Sequence, residues 1–288
     1  MIFLDALIIP LALLAIFLLW KIVKNLFTGE KRAGAFQAEI SDWLLFGSAT
    51  FISIYFGSLV SRFLMPSYED IEGGMIPIIF GTTAMQLCLL ASMLLYRKFF
   101  SFKFSLFAGA SLKDLWVAVK YYFAMMLVVF AATLFSAVVV EFITGNPPES
   151  QEIVQLLNKV ESNYLLALSF CSFGILAPLV EEIYFRGLLY GMLKGLFANA
   201  ERKFAECADG KIPRWCVSRI CAAVLSAAFF ASVHFCLSAF IPLFCIGLFL
   251  VGLYEKRGNL LAPILVHCVF NTVNAIIILS GLVDVGTF

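Results

Sequence analysis

Eight apolar runs, around residues 3–20, 43–65, 75–96, 115–140, 163–186, 218–236, 238–254 and 259–282, constrain this chain more than any motif. Each approaches the roughly 20 residues that a helix needs to cross about 30 Å of hydrocarbon. Inside lipid every backbone N–H and C=O must be paired within the protein, and runs of this length achieve that as helices. The expected fold is therefore all-α, a polytopic transmembrane helical bundle of about eight spans with any polar site inside the bundle. With 62% hydrophobic and 14% charged residues and a mean hydropathy of +0.98, a soluble globule is excluded.

The connectors give the orientation. Lys21, Lys24, Lys31 and Arg32 follow the first run; Arg97, Lys98, Lys103 and Lys113 follow the third. Arg202, Lys203, Lys211, Arg214 and Arg219 surround the loop after the fifth, and Lys256 and Arg257 follow the seventh. The intervening connectors are acidic, with Glu69, Asp70 and Glu72 in one and Glu149, Glu152 and Glu161 in another. Basic loops face the cytoplasm, so both termini are expected outside. Asp5 precedes the first run and the basic residues follow it, the reverse of a signal peptide, so a retained first span is expected. Eight cysteines without a CxxC pair read as small core residues. Residues 150–161 place Ile153, Leu156, Leu157 and Val160 at helical spacing behind Pro147 and Pro148, predicting a short amphipathic helix on the outer surface, a passive interfacial element or a lid.

Against this background, Glu181, Glu182 and Arg186 fall within an otherwise apolar helix. Charge at bilayer depth costs roughly 2.5 to 3.5 kcal/mol per residue, so three such groups require a polar interior. Glu182 and Arg186 are four apart and share a helix face, whereas Glu181 points about 100° away and is left for another partner. Those three alone could form a packing network. A carboxylate held in an apolar setting is also poised as a general base. The chain's two histidines lie in other apolar runs, His234 one turn after Phe230 and His267 one turn before Asn271. An Asn–His pair can direct two donors at a developing oxyanion. Pro178 should kink the helix just ahead of the acidic pair. Gly187, Gly191 and Gly195, four apart, should let a neighbouring span approach closely. Counted from the cytoplasmic ends, His234 lies roughly 10 to 14 Å deeper than His267 at helical rise. A shared site therefore requires helices that tilt, break or start at unequal depths, and the kink near Pro178 with a re-entrant or short seventh span is expected to permit it.

HExxH, GxGD and GxSG, the signatures of other intramembrane proteases, are absent. Together, EEIYFR (181–186), FASVH (230–234) and HCVFN (267–271) resemble the EExxxR, FxxxH and HxxxN motifs of the CAAX protease and bacteriocin-processing family, over about residues 163 to 275. The resemblance implies a glutamic intramembrane protease. In it Glu181 is the general base on a water shared with His234, His267 and Asn271 hold the oxyanion, and Glu182, Arg186 and Phe230 support the site. No cofactor is implied. A zinc enzyme using Glu181, His234 and His267 is the alternative, as is a non-catalytic immunity or scaffolding role. A transporter using Glu182 and Arg186 is a third reading, though no inverted repeat is seen. Residues 1–160 would supply N-terminal spans and residues 161–288 the catalytic core, within one structural domain. The expected partners are the lipid bilayer and a peptide or protein substrate, lipidated or membrane-anchored, with no nucleic acid. The expected location is a bacterial inner membrane.

Overall fold

The computed structural model describes residues 36–65, 71–100, 110–149, 152–157, 160, 162–207 and 217–279, with isolated positions between 14 and 24. The expected first span falls outside these residues. The described chain is helical: α1 (Ile40–Leu64), α2 (Ile71–Tyr96), α3 (Leu112–Thr144), the short α4 (Glu152–Leu157), a continuous rod α5 (163–207), α6 (Val217–Ser232), α7 (Leu237–Arg257) and α8 (Leu261–Leu279). Six helices among the described residues are long and apolar enough to cross a membrane, and α6 is shorter.

Local chemistry sets the helix ends. Glu39 and Asp42 cap α1 reciprocally, and Ser111 and Asp114 do the same for α3. Gly145 and Gly258 stop α3 and α7 with φ of 68° and 71°, a left-handed backbone that glycine adopts without strain. The antiparallel α1 and α2 pack at backbone distance. A Cβ on Gly57 would stand 2.6 Å from that of Met85, and one on Gly81 would stand 2.8 Å from that of Ser61. Large apolar side chains such as Phe63, Phe123 and Phe142 remain exposed, as expected where lipid is the solvent.

The core sits on α7, whose Ile246, Phe249, Leu250, Val251 and Leu253 are buried between α3, α6 and α8. A second, smaller core lies at the other end of the bundle, where Leu157 of α4 and Val160 close over Met75, Ile79 and Leu165. The amphipathic connector is therefore six helical residues docked on the bundle.

Two features depart from the sequence reading. Helix α6 ends at Ser232, short of residue 236, and Phe235 turns the chain with a positive φ of 49° before α7 begins. His234 consequently occupies a turn beyond the helix, whereas the seventh span, expected to be short or re-entrant, is the 21-residue α7. The glycine stripe, in turn, accommodates no spanning helix at Gly191 and Gly195. There it receives the non-helical segment before α1: Phe36 N–H donates to the Gly191 carbonyl at 3.1 Å, and a Cβ on Gly195 would fall 1.7 Å from the Phe36 carbonyl oxygen.

Candidate active site

The rod α5 is not uniformly α-helical. It winds as α from Asn163–Ser169, as π from Phe170–Leu176, as α from Ala177–Glu181 and as π again from Glu182–Leu189. Pro178, with no N–H to give, follows the first π segment, whose longer hydrogen-bonded ring tolerates the missing donor. Glu181 and Glu182 thus straddle a change of winding, and the two carboxylates leave the helix into different surroundings. Glu182 is fully buried, whereas the Glu181 side chain keeps 25% of its exposure.

The buried charges are arranged around Glu182. Arg186 Nη1 donates to Glu182 Oε1 at 2.8 Å, and His267 Nδ1 approaches the same oxygen at 2.8 Å from α8. Nε2 of His267 faces Glu181 Oε2 at 3.7 Å, a gap wide enough for one bridging water. The Arg186 guanidinium lies over the Phe230 ring at 4.5 Å, a cation–π contact in a desolvated setting. Phe230 also borders both imidazoles, with ring centroids 5.0 Å from His234 and 5.9 Å from His267. The histidines are therefore closer together than the sum of those distances, within the roughly 12 Å that a shared site allows. His234 Nδ1 donates to the Phe230 carbonyl at 2.8 Å. Since that carbonyl only accepts, Nε2 is the accepting nitrogen of the neutral ring. Asn271 Nδ2 donates to the Phe173 carbonyl at 2.9 Å, which ties α8 to the first π segment.

Glu181, Glu182, Arg186, Phe230, His234 and His267 are thus linked by side-chain contacts, whereas Asn271 is turned to Phe173, and two partners differ from those expected. The imidazole facing Glu181 is His267, while His234 is turned to its own helix end. Glu182 engages His267 as well as Arg186. For zinc, the donor set does not fit as drawn: Glu181, His234 and His267 do not converge, and among the described residues no three His, Cys, Asp or Glu side chains are disposed to hold a metal ion.

Residues 163–273 match the family model described as type II CAAX prenyl endopeptidase Rce1-like. Over that stretch the chain is similar to the CAAX protease family. No curated protein and no solved structure matches the chain. The matched stretch begins at α5 and contains all three motifs, while α1 to α4 lie outside it.

Several residues around this stretch are not marked by any motif. Tyr184, inside the charged stretch, gives its hydroxyl to Thr50 of α1 at 2.6 Å. Further along α5, Tyr190 donates to Glu255 of α7 at 2.6 Å, Lys194 joins the same carboxylate oxygen, and Arg219 of α6 lies 4.0 Å from the other one. This buried cluster fastens α5, α6 and α7 together. The sequence carries a faint signal, since Lys194 and Glu255 are charges close to apolar runs.

Proposed function

We propose that the chain is an intramembrane endopeptidase in which Glu181 activates the hydrolytic water. The observation that carries this reading is the unequal condition of the two adjacent carboxylates. Glu182 is buried and already engaged by Arg186 and His267; Glu181 is partly exposed, and its nearer neighbour is an imidazole nitrogen at 3.7 Å. One carboxylate orients and the other remains available for chemistry.

In this scheme Glu182 fixes the His267 ring through Nδ1, so that Nε2 and Glu181 hold one water between them. Glu181 takes a proton as the water adds to the scissile carbonyl, and later returns it to the leaving amine. The two protons of that water are directed at Glu181 and His267 Nε2, which leaves His234 Nε2, across the Phe230 ring, as an acceptor for a substrate N–H. Asn271, released from the Phe173 carbonyl, donates to the tetrahedral oxyanion. Arg186 offsets one of the two carboxylate charges. The scheme uses no metal. The substrate is a peptide or protein presented at the membrane, and a lipidated C-terminal segment is the class that the family description suggests.

Membrane peptides from cells carrying the wild-type chain or Glu181→Gln, with and without a chelator, test the reading by mass spectrometry. The expected result is a set of fragments ending at a common bond, lost in Glu181→Gln and unaffected by the chelator. Fragments that persist in Glu181→Gln would refute the general-base role, and a protective phenotype without cleavage would favour an immunity protein. Fragments lost from wild type on chelation would refute the metal-free scheme.

A further inference from the structure

The buried side of the charged turn is gripped by a helix that the family match does not include. Tyr184 lies two residues after Glu182 and two before Arg186, and it is 4% exposed. Its ring stacks on Phe46 of α1, with centroids 4.4 Å apart and planes at 20°. Its hydroxyl lies 2.6 Å from Thr50 Oγ1, and the direction of that bond can be worked out. Thr50 has a single hydroxyl proton and commits it to the Phe46 carbonyl at 2.8 Å. Tyr184 is therefore the donor, and a Thr50 lone pair is the acceptor.

From Tyr184 the contacts continue to the candidate site. The Phe185 ring stands edge-on to Tyr184 at 4.9 Å and to Phe230 at 5.2 Å. Phe230 carries the Arg186 guanidinium on its face. Ser226 of α6 donates to the Phe185 carbonyl at 3.1 Å, pinning the same turn from the other side. The grip is needed because Glu182–Leu189 is π-wound. A π turn is a disfavoured winding that persists where its surroundings hold it. Glu182, which it carries, and Glu181, which ends the α-helical turn before it, point correctly only if the π turn cannot rotate or relax to α.

We propose that Thr50 and Tyr184 are positioning residues: the hydrogen bond from α1 fixes the rotation of the π-wound turn, so that Glu182 stays buried and Glu181 stays open to the site. The proposal rests on the peptidase reading for its kinetic consequence. Its structural consequence stands apart from that reading.

Two measurements on the purified full chain in proteoliposomes decide it. The first is turnover of the substrate found by the peptide comparison. Tyr184→Phe and Thr50→Val each lower kcat by roughly 10- to 100-fold per folded molecule with KM little changed, the scale of loss when a reacting group is misplaced by about an ångström. The double variant is no worse than either single one, because both remove the same bond. Thr50→Ser, which keeps the acceptor, restores turnover. Singles within twofold of wild type, or losses that multiply in the double variant, overturn the proposal.

The second measurement needs no turnover. Dicyclohexylcarbodiimide modification mapped by mass spectrometry reads which carboxylate is accessible. Wild type and Thr50→Ser are modified at Glu181 and spared at Glu182, whereas Tyr184→Phe and Thr50→Val are modified at both. A pattern identical in all four chains overturns the proposal even if the wild type cleaves nothing. A wild type that cleaves nothing, with the labelling pattern as expected, rejects the peptidase reading and keeps the positioning role.

Discussion

Replacing Arg186 with methionine keeps most of the side-chain volume and removes the cation that neutralises Glu182. Both partners are buried to about the limit, 1% and 0% exposed, and they meet at 2.8 Å. Removing one member of such a pair costs roughly 3 to 5 kcal/mol, because the remaining buried charge loses its cation and keeps only the His267 contact. The guanidinium also sits 4.5 Å over Phe230, a desolvated cation–π contact worth about 2 kcal/mol that the thioether does not reproduce. The two terms share one side chain and do not add in full. The expected loss is therefore at the upper end of the 3 to 5 kcal/mol range. Converting Glu182 to leucine in the same chain removes the stranded carboxylate, and at least half of the lost stability should return, because apolar replacement of a whole buried pair is often near neutral. The assay is reversible unfolding in mixed detergent–SDS micelles followed by helicity. The reasoning fails if Arg186→Met is within about 1 kcal/mol of wild type, or if the double variant is no more stable than the single.

Other consequences follow from packing and charge. Gly191→Ala collides with the Phe36 ring at 2.2 Å, whereas Gly195→Ala collides with the Phe36 backbone oxygen at 1.7 Å. Each overpacked change should cost about 1 to 3 kcal/mol, and Phe36→Ala should rescue the first but not the second in the same unfolding assay. Glu255→Ala removes the carboxylate on which Tyr190 and Lys194 converge. It should destabilise the chain by roughly 3 kcal/mol, measured as a lower midpoint, with Glu255→Gln recovering part of the loss through the Tyr190 hydrogen bond.

Much of the fold is legible in hydropathy alone. The run 75–96 lies within Ile71–Tyr96, and the run 259–282 brackets Leu261–Leu279. Hydropathy is blind where structure changes without a change of polarity. The apolar sequence continues through Val233 and Phe235, so the end of α6 at Ser232 carries no composition signal, and no glycine marks the positive φ of Phe235. Pro178 announces a disturbance in α5 but not the two π-wound segments on either side of it. The glycine stripe announces a close approach without saying that the visitor is Phe36, outside any helix. At the candidate site, charges and rare polar residues in apolar surroundings mark Glu181, Glu182, Arg186, His234, His267 and Asn271, because burying such groups is costly enough to need a reason. Their pairing is a different matter. Which imidazole faces Glu181 depends on helix rotations set by packing between segments 85 residues apart, as for His267 and Glu182. Thr50 and Tyr184 look like ordinary residues of apolar helices until α1 is laid against α5.

The direct test of the central claim is cleavage by the purified chain in proteoliposomes, wild type against Glu181→Gln, with both shown to be equally folded and assayed on one identified substrate. Loss of the general base predicts a fall in kcat of roughly 10²- to 10⁴-fold. Glu181→Gln turning over at a rate within a few-fold of wild type would contradict the account.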